Sequence, residues 1–133
     1  MRFVLVFLGG GVGAVLRYSV GLLVGRLTPT GLDTPHWLSM YPVATLSVNL
    51  IGCGLIGLVW GLMGKPETGG EPLRLALIVG VLGGFTTFSS FGWETLDLLG
   101  EGRAATALLY VVLSVCVGLL LAYSGHGLGE ALR

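Results

Sequence analysis

Four long apolar stretches, cut apart by short proline- and glycine-rich links, leave this chain little choice but a membrane. They cover roughly 3–26, 38–63, 74–98 and 104–124, and each meets the ~20 residues needed to cross about 30 Å of hydrocarbon. The first contains one interior charge, Arg17, with Arg26 at its very end, and the second none. The third carries Glu94 and Asp97 near its end. Charged residues make up 11% of the 133, against about 25% in soluble domains. The expected fold is all-α: a single integral membrane domain over 1–133, built as a four-helix transmembrane bundle. Links at Arg26–His36, Gly64–Pro72 and Gly100–Arg103 should stop the helices and tie neighbours together. Residues 2–16 have the positive start and apolar run of a signal peptide, yet more membrane follows instead of a cleavage site, so they are expected to remain as the first span. Net charge is zero, which gives no basic face for nucleic acid. Cys53 and Cys116 lie inside apolar runs and read as small packing residues.

Gly9-Gly-Gly-Val-Gly13-Ala14, after an apolar run, imitates a dinucleotide-binding turn, with Asp33 about where a ribose-binding acid would sit. Such a fold needs charged outer helix faces, and the chain has almost no charge to supply them. In a membrane the same residues become ridges for close helix packing: Gly9/Gly13 and Gly10/Ala14, with Gly21/Gly25 and Gly57/Gly61 repeating the spacing.

The third span holds the most unusual stretch, Gly83-Gly-Phe-Thr-Thr-Phe-Ser-Ser-Phe-Gly-Trp-Glu94. Paired glycines followed by hydroxyl side chains predict a broken helix at bilayer depth, where exposed backbone groups persist only if protein, water or an ion meets them. Other polar groups fall at the same depth. Asn49 is near the centre of the second span, with Thr45 one turn earlier. Thr86, Thr87, Ser89 and Ser90 cross the centre of the third, and Tyr110 and Ser114 lie a turn apart on the fourth. Any one hydroxyl could simply bond back to its own helix, and Phe88 and Phe91 at i, i+3 could simply pack. A mid-membrane amide such as Asn49 nearly always seeks a partner. The layer is expected to offer N–H and O–H donors but no carboxylate and no cysteine or histidine cluster, and phenylalanine edges carry partial positive charge, so its chemistry suits a small anion. Carbonyls of a broken helix could hold a cation. Glu94 is awkward beside an anion and reads as a solvated carboxylate at a helix end. His36 and His126 have no metal-ligand spacing.

With four spans, Arg2, Lys65, Arg74 and Arg133 share one side of the membrane, while Arg26, Arg103 and the nearby Arg17 favour the other. Four against three gives little orientation signal. The charges alone leave open one fixed orientation or insertion both ways with antiparallel pairing.

Gly83-Gly-Phe-Thr-Thr-Phe-Ser-Ser-Phe91, the stretch Thr45-Leu-Ser-Val-Asn49-Leu-Ile-Gly52, and Gly9-Gly-Gly-Val-Gly-Ala-Val-Leu-Arg17-Tyr18 together resemble the CrcB/Fluc fluoride channels of bacteria. The likeness covers all four spans. It implies a dual-topology, antiparallel homodimer in the bacterial cytoplasmic (inner) membrane, with two pores through which fluoride leaves the cell passively. It also implies a structural sodium ion at the dimer axis, held by backbone carbonyls of Gly83 and Thr86. The fluoride pathway would use Asn49, Phe88, Phe91, Thr45, Ser90, Tyr110, Ser114 and Glu94, with Arg17 in the vestibule. Phe85 stands where the family suggests a smaller residue. The balanced Lys/Arg count agrees with dual insertion. Two rival readings are a four-helix proton-coupled exporter, which needs a carboxylate in an early span, and a membrane scaffold, which leaves the polar layer unexplained. An enzyme is not expected, because no nucleophile–base pair or metal cluster is visible.

Overall fold

The computed structural model describes residues 1–27, 40–64 and 70–133, and every element among them is helical. Most of the first link, with His36, the start of the second span at 38 and most of the second link lie outside the described residues. Helix α1 is Arg2–Leu27 and α2 is Met40–Met63. Helix α3 covers 71–85, with 75–82 wound as a π-helix. Helix α4 is Phe88–Gly100, and α5 is Ala104–Leu132 with a π turn at Leu113–Val117.

Local chemistry explains the ends. Gly70, at φ 87°, turns the chain into α3, and Pro72 sits in the first turn, where its missing N–H costs nothing. Three amides close the end of α4: Glu101 on Asp97 O at 3.0 Å, Gly102 on Leu99 O at 3.0 Å and Arg103 on Leu98 O at 2.9 Å. Gly102, at φ 74°, makes that reversal possible.

Four helical segments, Arg2–Leu27, Pro42–Met63, Glu71–Gly100 and Ala104–Leu132, are long and apolar enough to cross a membrane. Between 11% and 22% of the residues in each apolar window are buried inside the chain, so most of the apolar surface faces outward. In water that surface would drive aggregation; hydrocarbon accepts it without cost.

Two glycine seams hold the helices together. In the first, α1 lies on α3. A methyl group at Gly9 would sit 2.6 Å from Ala76 O, and one at Gly13 would sit 2.7 Å from the Phe85 amide. Gly84 backs onto Gly10 in the same seam. In the second, α2 lies on α5. A methyl at Gly61 would sit 2.8 Å from the Glu130 amide, and one at Gly129 2.8 Å from that of Leu62. Lipid tails are as apolar as leucine, so burial alone gives helices little reason to associate there; close backbone approach supplies the dispersion contacts instead. Gly21 faces open space within the chain.

The membrane-surface ends carry modest ties. Arg74 stacks over Trp60 at 4.1 Å and donates to Gly64 O at 3.0 Å, joining the end of α2 to α3. The Arg2–Glu71 pair, at 3.0 Å, is well exposed and contributes ~0–1 kcal/mol. The small buried cluster Leu98, Ala107 and Tyr110, flanked by Leu46 and Phe91, joins α2, α4 and α5 beside the polar layer.

Candidate functional site

The site is built around two residues. Thr86 (φ −84°, ψ 160°) and Thr87 (φ −150°, ψ 119°) are extended between helical Phe85 and Phe88. The neighbouring glycines are not where the backbone turns. Gly83 is helical at φ −65°, ψ −36°, and Gly84 serves the close approach to α1. The threonines leave the helix because other groups satisfy them there.

Asn49 is the principal partner. Its Nδ2 donates to Thr87 O at 3.0 Å, and its Oδ1 accepts from the Thr87 amide at 2.9 Å. One side-chain amide thus replaces both backbone bonds that an extended residue loses at this depth. Each such group left bare in a membrane costs several kcal/mol. The Thr86 amide and hydroxyl both donate to Leu82 O, at 3.0 and 2.9 Å. Arg17 Nη1 donates to Thr86 O at a long 3.5 Å.

The start of α4 is capped by its own hydroxyls. Thr87 Oγ1 accepts from the Ser90 amide at 3.3 Å, donates to Ser90 Oγ at 3.1 Å and lies 3.3 Å from Ser89 Oγ. The remaining amides of that first turn make a region of positive potential beside the extended pair.

A cleft of about 330 Å³ opens next to this cap. Asn49, Gly83, Thr86, Phe88, Phe91 and Ser114, all named from sequence, share its wall. Phe88 is 83% exposed, on the open face of the chain. The Phe88 and Phe91 rings are 5.6 Å apart and tilted by 42°. Phe91 in turn meets Tyr110 at 5.2 Å and 54°.

Behind Phe91 lies a second polar group. Thr45 Oγ1 donates to Glu94 Oε1 at 2.7 Å, and Tyr110 OH donates to Glu94 Oε2 at 2.6 Å. Glu94 is therefore no solvated end-of-helix carboxylate, and the polar layer, expected to have no carboxylate, contains one because Thr45 and Tyr110 both bond to it. It is part-buried in mid-α4, and one hydroxyl on each of α2 and α5 holds it. Thr45, one turn before Asn49, faces this carboxylate and not the cleft. Sequence reasoning found every member of this trio but not their mutual bonding, because the pairs are 49 and 16 residues apart. Phe85, the residue out of keeping with the family, is buried at 6%, with its amide against Gly13 of α1 and its ring beside Gly52 of α2.

Two carbonyls were named for a cation. The amide that would close a helical turn on Gly83 O belongs to Thr87, and Asn49 takes it. That leaves Gly83 O without its usual partner, and carbonyl oxygen is the hard donor an alkali cation prefers. Among the described residues Thr86 O has only the long Arg17 contact. The donor type therefore fits an alkali cation.

The family described as "CrcB-like protein, Camphor Resistance (CrcB)" matches residues 4–126. The chain is also similar to curated proteins named fluoride-specific ion channel FluC. The one from Thermus thermophilus is 47% identical over 131 residues, covering 98% of this chain and 97% of the relative. That from Paracoccus denitrificans is 42% identical over 130 residues, covering 98% and 95%. That from Chloroflexus aurantiacus is 42% identical over 123 residues, covering 92% and 90%.

Proposed function

This chain belongs to the CrcB-like protein family, and from that premise we propose that it is a fluoride-selective channel, not an enzyme. It lets fluoride leave the cytoplasm passively across the bacterial inner membrane and so relieves fluoride toxicity. The observation that carries the proposal is the donor-lined cleft beside the Asn49–Thr87 clamp, walled by Phe88 and Phe91.

A small, strongly hydrated halide gives up water only where donors replace it. The second N–H of the Asn49 amide, the Ser114 hydroxyl and the amide-rich start of α4 are donors at the cleft, and Ser90, whose Oγ accepts from Thr87, keeps its own proton beside it. The edges of Phe88 and Phe91 present partial positive charge without a fixed cation, which favours passage over trapping. Tyr110 and Thr45 hold Glu94 to one side with two hydroxyl bonds, which spends its lone pairs locally. Arg17 raises the local anion concentration at the mouth.

The functional unit is an antiparallel homodimer with two pores. Three things support it: the exposed Phe88, a pore wall that one chain leaves open; the outward-facing apolar surface; and the four-against-three Lys/Arg balance. The third span acts as a broken helix, and the Gly83 and Thr86 carbonyls of two copies would hold a structural sodium ion at the shared axis. The ion would supply a fixed positive charge that offsets the carbonyl dipoles.

The test is electrode-recorded efflux from proteoliposomes. Fluoride-loaded vesicles should empty quickly and chloride-loaded ones should not. Equal chloride flux would refute selectivity, and no fluoride flux would refute the channel.

A further inference from the structure

One contact in the cleft wall is used neither by the Asn49 clamp nor by the pathway. Gly52 lies on α2 three residues beyond Asn49, so the two share a face, and both line the cleft. Asn49 holds Thr87, whereas Gly52 faces Thr86. Gly52 is buried, and a methyl group there would collide with Thr86 Cγ2 and sit 3.6 Å from the Phe85 ring. The seam glycines Gly9, Gly13, Gly57 and Gly61 differ, because the backbone of the facing helix is what excludes a methyl from them.

A side chain usually swings out of such a collision. This one is tied. Thr86 Oγ1 donates to Leu82 O at 2.9 Å, so turning the side chain to move Cγ2 breaks that bond, and a β-branched residue has few other rotamers. The Thr86 amide holds the same carbonyl at 3.0 Å, and the next residue is clamped at its N–H and C=O by Asn49. Phe85, 6% exposed, closes the other side. What can yield is the Thr86 peptide, whose ψ of 160° sets the direction of its carbonyl oxygen.

We propose that Gly52 is a positioning residue: the space it leaves for the Thr86 methyl fixes the direction of the Thr86 carbonyl, and with it the affinity of the cation site. The cation half rests on the sodium reading above; the fit of methyl against glycine does not. Helix α2 then sets both extended residues, Thr87 by bonding and Thr86 by leaving room.

The test uses the full chain in detergent, melted at rising sodium chloride, with N-methylglucamine chloride keeping total chloride constant. A cation that binds the folded state raises the melting temperature, and the sodium concentration at half the full rise is the readout. Gly52→Ala should raise that midpoint about tenfold or more. Gly54→Ala, on the same helix, should leave it in place, because a methyl there meets only Leu121 Cβ at an ordinary 3.9 Å among the described residues. In a Thr86→Ser chain, which lacks Cγ2 and keeps the hydroxyl, adding Gly52→Ala should move the midpoint by less than about twofold. A purely structural glycine would lower the melting temperature in every buffer and leave the midpoint alone.

The proposal is overturned if Gly52→Ala keeps the parental midpoint, or if its shift is as large in the Thr86→Ser chain. Should Gly52→Ala give no folded protein, the double variant with Thr86→Ser must fold, and a double variant that also fails overturns the proposal. A parent whose melting ignores sodium removes the cation reading and the affinity half of this inference with it. The effect of Gly52→Ala in the two backgrounds, read as melting temperature, would still decide whether the Thr86 methyl needs the glycine.

Discussion

Asn49 shows how much one side chain settles. It satisfies an N–H and a C=O of Thr87 at once, at 2.9 and 3.0 Å. Asn49→Ala leaves both bare, and the expected loss is about 3 kcal/mol or more of stability together with the flux, read as melting temperature and efflux. Asn49→Asp restores the acceptor and not the donor, so it should fall between the two. Tyr110→Phe removes one of the two donors to Glu94. The fold should hold, because Tyr110's ring still packs on Phe91. Flux should drop several-fold as the freed carboxylate turns toward the cleft; unchanged flux would remove Glu94 from any effect on the pathway. The sequence names these residues through depth and type. It does not show who bonds to whom, because side-chain partners are chosen across helices.

At the scale of the element, the glycines have two different tasks. Those in the α1–α3 and α2–α5 seams have no room for a methyl group, whereas Gly11 faces open space. Gly13→Ala and Gly57→Ala should each cost about 1–3 kcal/mol and lower the monodisperse yield, while Gly11→Ala should be neutral or slightly stabilising. Equal melting temperatures for all three would mean that the seams do not hold the bundle. The spacing of small residues makes the ridges at Gly9/Gly13 and Gly57/Gly61 legible in the sequence, but Gly21 has the same spacing signal and no close neighbour among the described residues. Periodicity says which residues share a face; only the assembled helices say which face is covered. Nor is the glycine pair at 83–84 where the dihedrals become extended. Glycine permits a turn, but the partners of Thr86 and Thr87 fix its position.

For the whole molecule, orientation is the property most open to test. Arg26→Gln with Arg103→Gln shifts the balance from four against three to four against one. If pairing is antiparallel, this chain alone should label from a single membrane face and lose flux. Co-expression with the opposite variant, Arg2→Gln with Arg74→Gln, should restore it. Full flux from the biased chain alone would end the antiparallel reading. The sequence by itself determined that the chain is helical with four segments able to cross a membrane, because a ~20-residue apolar run satisfies its backbone in hydrocarbon as a helix. It also set the depth of the polar layer, since rise per residue converts position into depth. The tertiary structure alone decided that Asn49 serves the Thr87 backbone, that Thr45 and Tyr110 converge on Glu94, and that Ser114 Oγ is buried without a partner among the described residues. Those outcomes depend on the rotation and approach of separate helices, which glycine contacts between distant segments fix and no local pattern encodes.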